Sequence, residues 1–248
     1  MAEVSAAILV IGDEILSGRT ADVNINHIAR VLGEIGIDLS EARVVPDIEA
    51  EIVAAVNALR ARYTYVFTTG GIGPTHDDIT AAAIAKAFGV PLEENAEALA
   101  VLQARYGPTT TLNEARKRMA FIPQGAQLVR NSVSSAPGFQ IGNVFVMAGV
   151  PGIMRAMLED IVPRLNTGTP VVSRSIAIAL GESTMAKSLG EIQARHPDVT
   201  IGSYPAFGPG GPKVSLVVRG RDADKVEAVA QEIETMLMGL GGEPKRMA

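Results

Sequence analysis

Tyr63-Thr64-Tyr65-Val66-Phe67-Thr68-Thr69-Gly70-Gly71-Ile72-Gly73-Pro74-Thr75-His76-Asp77-Asp78-Ile79-Thr80 is the stretch that decides the fold. Residues 63–69 read as a strand that stops at a glycine-rich loop, and a helix is predicted over 79–88. The same rhythm runs upstream. Residues 6–11 form an unbroken apolar run ending at Gly12, the pattern of a strand buried on both faces. A helix follows, with Thr20 or Asp22 available as its cap and Ile25, Ile28, Ala29, Leu32 and Ile35 near helical spacing. Residues 39–45 predict a second strand ending at Pro46-Asp47. A second helix then carries Ile48, Ile52, Ala55, Val56 and Leu59 on one face.

Strand and helix alternating three times predict an α/β fold: a mostly parallel sheet with helices on both faces, three layers in all. Residues 91–140 break the alternation. They hold a helical part over 95–106, a polar Thr109-Thr110-Thr111 patch and a basic helix start at Glu114-Ala115-Arg116-Lys117-Arg118. We read them as an elaboration packed on the sheet, with an antiparallel pair. A strand over 144–147 ends at Gly149-Val150-Pro151-Gly152, and a helix over 153–165 closes the unit.

Asn166-Thr167-Gly168-Thr169-Pro170 reads as a linker. The expected division is residues 1–167 and residues 168–248. The second part predicts a small α+β domain in βαββα order: a strand over 171–180, a helix over 182–195, strands over 199–204 and 213–219 paired across a loop at 207–212, and a helix over 223–238. The tail, residues 241–248, is expected to fray.

Composition narrows the function. The chain has 248 residues, net charge −5 and no cysteine. Disulfides, thiolate metal sites and cysteine nucleophiles are excluded. An acidic balance argues against non-specific nucleic-acid binding, which needs a positive field. With three histidines, none in paired spacing, any metal rests mainly on oxygen ligands. No signal peptide and no membrane-length apolar run are read, so the expectation is a cytoplasmic protein with no membrane and no nucleic-acid partner. The small second domain offers a limited core, so a homodimer or higher oligomer is expected.

In an open parallel sheet, ligands bind beyond the carboxyl ends of the strands. Four loops lie there: Gly12-Asp13-Glu14, Pro46-Asp47, residues 70–78 and residues 149–152. Thr69, Gly70, Gly71, Gly73 and Thr75 bring backbone N–H groups to a phosphate without Cβ interference, at the start of a helix. The loop is neither a Walker A nor a GxGxxG motif. A glycine turn can also serve packing alone, with Asp77 or Asp78 as a helix cap. Asp47, Asp77 and Asp78 can hold a divalent ion, Mg²⁺ or a similar metal, or can be caps and solvated loop acids. Asp13 or Glu14 can accept from ligand N–H groups, and Ser17 and Arg19 can contact phosphate. Gly149, Pro151 and Gly152 complete the candidate pocket. His76 has a functional claim from its loop, whereas His27 reads as structural. The Arg116-Lys117-Arg118 cluster reads as a solvated helix face. A side chain at Gly71 is expected to weaken ligand binding more than stability.

These residues resemble a known family. Gly12-Asp13-Glu14-Ile15-Leu16-Ser17-Gly18, the loop from Gly70 to Thr80, Ala136-Pro137-Gly138-Phe139, Gly149-Val150-Pro151-Gly152, Gly181-Glu182-Ser183 and Ile201-Gly202-Ser203-Tyr204-Pro205 look like the N-terminal region of the CinA family, within the molybdopterin-binding superfamily of MogA and MoaB. The resemblance implies a MogA/MoaB-like domain, a small KH-like domain, and a molybdopterin or nucleotide ligand. It also implies divalent-metal-dependent cleavage of ADP-ribose-like dinucleotides, with Asp47 and Asp78 in the places of the functional aspartates. The alternatives are molybdopterin binding or adenylyl transfer in cofactor biosynthesis, or a binding module without turnover. The deamidase domain of many CinA proteins is not matched, so that activity is not carried over. Ser134-Ser135 stands where the family often has Gly-Thr.

Overall fold

The computed structural model describes residues 4–107, 112–134, 136–208 and 211–247, without the side chains of residues 206–213. The Thr109-Thr110-Thr111 patch, Ser135 and the tip of the 207–212 loop lie outside the described residues. The chain divides into two units, Met1–Gly168 and Thr169–Ala248.

The first unit runs β1 (Ser5–Ile11), α1 (Asp13–Leu16), α2 (Asn24–Glu34), β2 (Asp38–Val45), α3 (Glu49–Arg62), β3 (Tyr65–Thr69) and α4 (Thr80–Phe88). The elaboration supplies β4 (Leu92–Glu94), α5 (Ala96–Tyr106), α6 (Glu114–Arg118), β5 (Phe121–Pro123), β6 (Gln127–Val129) and β7 (Gly138–Ile141). Then come β8 (Val144–Met147), α7 (Pro151–Ile161) and a 3-10 turn at Val162–Arg164. One sheet has the order β2-β1-β3-β8-β7-β6. Its first four strands are parallel; β7 and β6 are antiparallel to their neighbours. The expected antiparallel pairing in the elaboration is present, there and between β4 and β5.

Alternation along β1 and β3 sends side chains to opposite layers. Ala7, Leu9, Ile11 and Val66 pack with α3, α4 and the elaboration. Ala6, Ile8, Val10 and Phe67 pack with α2 and α7. Phe67 faces Phe145 across the β3–β8 ladder, their rings stacked with centroids 5.3 Å apart. The chain leaves β1 to form β2 on one side and β3 on the other, so the strand order reverses at β1, the usual ligand crevice of such sheets.

Asp22 does serve the start of α2, accepting from the Ile25 N–H at 2.8 Å. Ile48 departs from expectation: it precedes α3 and is exposed, because the helix begins one residue later. The short helix α1 stands where a loop was expected.

The second unit is β9 (Val172–Ile178), α8 (Glu182–Arg195), β10 (Thr200–Gly208), β11 (Gly211–Gly220), α9 (Ala223–Gly239) and β12 (Lys245–Met247), in the sheet order β10-β11-β9-β12. It has its own core around Ile176, Leu216, Val218, Val229 and Ile233. The tail does not fray as expected. β12 pairs antiparallel with β9, and Arg246 is held by Glu227 and Glu234 on α9, giving a short polar segment partners that its sequence does not announce.

Candidate functional site

The four loops meet at one edge. Asp47, after β2, accepts the Asp13 N–H from the loop after β1 at 3.0 Å. The end of β3 presses on its neighbours through glycines. Gly70 has φ +107°, and a Cβ there would stand 2.1 Å from the Ile11 carbonyl oxygen at the end of β1. Gly149, after β8, lies so close that a Cβ on it would be 3.3 Å from the Gly70 Cα. Gly71 has φ +64°, and its Cβ would fall 2.2 Å from Thr80 Oγ1 and 3.6 Å from Asp47 Oδ1. Thr80 is buried; its hydroxyl donates to the Gly70 carbonyl at 3.0 Å, and its N–H donates to the Gly71 carbonyl. The loop is therefore tied from both ends. A side chain at Gly71 damages the fold as well as any ligand contact, which revises the sequence expectation.

Neither Asp77 nor Asp78 caps α4, whose N-terminus has no side-chain cap. Asp78 instead turns back into the loop, where Oδ2 accepts from the Thr75 N–H at 2.8 Å and the Thr75 hydroxyl at 2.5 Å. A Cβ on Gly73 would meet the Asp78 carboxylate at 2.6 Å, so Gly73 leaves room for that turn. Burial pushes the Asp47 carboxyl above its usual range. The Asp13 N–H opposes this, while the nearby charges of Asp13, Glu14 and Asp77 push the same way. Asp47 and Asp78 thus both adjoin the bare backbone of residues 71–73.

A cavity of about 270 Å³ opens beside that backbone. Gly71, Gly73 and Asp78 form its polar wall, and Leu92, Met119, Phe121 and Phe139 supply an apolar one. Arg118 lines it too. The basic cluster is divided by structure. Arg116 stacks on the Tyr106 ring at 4.0 Å, Lys117 pairs with Glu114, and Arg118 has no ion-pair or hydrogen-bond partner among the described residues. A cation left free beside a carboxylate and an apolar wall is suited to an anion carried on a flat ring.

A second cavity, about 60 Å³, lies between α1 and the starts of α2 and α7. Glu14, Thr69, Gly149 and Pro151 line it, as do Asp22 and Asn24.

Other candidates stand apart. Ser17 Oγ accepts from Arg19 Nε at 3.2 Å in an exposed pair, and neither residue lines either cavity. Gly12, Asp13, Asp47, Gly70, Thr75, Asp77 and Gly152 also line neither. Asp77 and His76 point largely to solvent, 3.9 Å from each other. Arg118 and Asn24 were missed. Only tertiary contacts separate Arg118 from its two basic neighbours, whereas Pro137 and Phe139 of the large cavity belong to a matched motif.

Residues 7–167 match the family described as "Probable molybdopterin binding domain", and residues 170–240 match the family described as "FAD synthase, middle domain". Protein PF0476 of Pyrococcus furiosus is 34% identical over 241 residues, covering 91% of this chain and 94% of that one. A CinA-like protein of Desulfosudis oleivorans is 34% identical over 231 residues, covering 88% of this chain and 55% of its own. The crystal structure of the CinA protein from Thermoplasma acidophilum, of unknown function, superposes with a TM-score of 0.62 at 32% identity. It covers 66% of this chain and 99% of that one.

Proposed function

The chain belongs to the CinA family, with a molybdopterin-binding-type first domain, and on that premise we propose that it cleaves the pyrophosphate of an ADP-ribose-like dinucleotide with a divalent metal. The observation that carries the reading is the placement of Asp47 beside Gly71 and of Asp78 beside Gly73, with Asp78 in the wall of the 270 Å³ cavity. The apolar wall takes a base, Arg118 takes phosphate charge, and the glycine backbone admits the phosphates closely. Water adds to one phosphorus, the bridging P–O bond breaks, and two phosphate monoesters leave. Asp47, beside the Gly71 backbone, would accept the water's proton.

Five acids stand at this edge, Asp13, Glu14, Asp47, Asp77 and Asp78, and they repel phosphate unless a cation intervenes. Among the described residues no three acids or histidines converge into a metal cage. Mg²⁺ at phosphates takes one or two carboxylates and keeps waters. Asp47 and Asp78 therefore fit an ion held jointly with the substrate, whereas Asp77 is turned to solvent. Bound there, such an ion would neutralise phosphate charge and lower the pKa of a bound water.

The test is a panel of ADP-ribose, FAD and adenylated molybdopterin, each with Mg²⁺, Mn²⁺ or chelator. The small domain's likeness to the FAD synthase middle domain is the reason for FAD. AMP released from ADP-ribose or FAD, and only with metal, is the expected result. Saturable binding without product under every metal would leave a binding module. Turnover confined to adenylated molybdopterin favours cofactor biosynthesis, the reading that the first domain's family description supports.

A further inference from the structure

We propose that the 60 Å³ cavity is a sugar-hydroxyl subsite that takes the terminal ribose of the same phosphorylated ligand; it rests on the dinucleotide reading above. Alternation along β3 puts Thr69 on the side of Phe67, facing the α2 and α7 layer where this cavity lies. Thr69 is 1% exposed and its hydroxyl has no hydrogen-bond partner among the described residues. Asn24, the first residue of α2, is 4% exposed. Its Nδ2 donates to the Gly149 carbonyl at 2.8 Å, which fixes the amide, and its Oδ1 is left without a partner. Buried polar atoms are nearly always satisfied, so two orphans in the wall of one cavity call for an occupant.

The wall selects that occupant. Asn24 Oδ1 and the carboxylates of Glu14 and Asp22 only accept, and Thr69 can donate or accept. Phosphate brings no donors and meets two acids. A base or pterin is too large, since one water needs roughly 10–15 Å³ by this measure. The space holds the hydroxyl edge of one sugar ring, and vicinal hydroxyls supply the donors. Carboxylates and amides read ribose in the same way at other α/β switch points. The two cavities meet the same loop: Thr69 lines the small one and Gly71, two residues on, lines the large one.

Calorimetric titration with ADP-ribose and with ADP, with product analysis confirming intact ligand, tests the assignment. The wild-type protein is expected to hold ADP-ribose about tenfold tighter than ADP, as one or two charge-assisted hydrogen bonds allow. Thr69→Val, which removes a hydroxyl with no hydrogen-bond partner among the described residues, should erase that advantage, its ADP-ribose affinity falling to its own affinity for ADP, with an unchanged melting temperature. ADP-ribose lacking the terminal 2-hydroxyl should lose it on the wild-type protein, a reading that holds even if the variant fails to fold. Equal wild-type affinity for the two ligands, or discrimination that survives both changes, overturns the subsite. Cleavage without discrimination overturns the subsite alone. Discrimination without cleavage overturns the hydrolysis alone, and absence of binding overturns both.

Discussion

The two domains use their polar groups in opposite ways. In the small domain charges pair across the elements: Arg246 with Glu227 and Glu234, Arg174 with Glu227, Arg195 and His196 with Glu232, and Lys225 with Asp198. Asp222 caps α9 through the Asp224 and Lys225 N–H groups. At the carboxyl edge of the large sheet, Arg118 has no partner among the described residues, Asn24 and Thr69 keep atoms that none of those residues satisfies, and Asp47 carries the cost of burial beside other acids. Paired charges hold a small core together. Unpaired ones tolerated at a crevice mark where a ligand supplies the partner.

Glycine substitution should separate the two regions most sharply. Gly70→Ala forces a Cβ against the backbone of β1 at φ +107°, where no side-chain rotation relieves it. A loss of about 3 kcal/mol is expected, read as a large drop in the urea midpoint. Gly181→Ala, at the start of α8 with nothing closer than 3.9 Å, should cost no more than ~0.5 kcal/mol. Equal losses at the two sites would remove the contrast.

Asp78→Asn comes next. The amide keeps an oxygen for the Thr75 donors, so stability should shift by less than ~1 kcal/mol. Turnover of ADP-ribose should nonetheless fall about 100-fold or more. A variant with near wild-type kcat places Asp78 among the structural residues instead.

Arg118→Ala should weaken ADP-ribose binding about tenfold, with an unchanged melting temperature because no internal partner is lost. Arg116→Ala, which strips a cation from the Tyr106 ring, should do the reverse: a small loss of stability and unchanged affinity.

The fold was legible because its signals are local. The runs ending at Gly12 and Gly70 mark buried parallel strands, and β-helix alternation fixes their connection. The meeting of the four loops was legible because parallel strands put all their carboxyl ends on one edge. What remained hidden depends on contacts far apart in sequence. Asn24 reads as an ordinary residue at a helix start until Gly149, 125 residues on, binds its amide. Arg118 differs from Arg116 only through which wall each one faces. The tail is polar enough to predict fraying, and only Glu227 and Glu234 on the facing helix turn Arg246 into an anchor.

The smallest expected effect tests the small domain's side of the contrast. Glu232 joins α9 to the end of α8 by accepting from Arg195 and contacting His196 Nε2 at 2.8 Å. The Arg195 guanidinium, and then His196, hold its carboxyl below the usual range, against a weaker opposing push from burial. An acid whose folded pKa is depressed binds fewer protons folded than unfolded near its ordinary value of 4.5. Its stabilisation is therefore fully present above that value and is lost as pH falls through the folded pKa. Glu232→Gln removes it. Wild type should melt above the variant at neutral pH, and the gap should close as the pH drops below about 4.5. Because the pair is partly exposed, the gap should stay below ~1 kcal/mol and shrink in high salt. A gap that is constant down to pH 3 would mean that Glu232 contributes through packing rather than charge, and the small domain's paired charges would then not be what distinguishes it from the crevice.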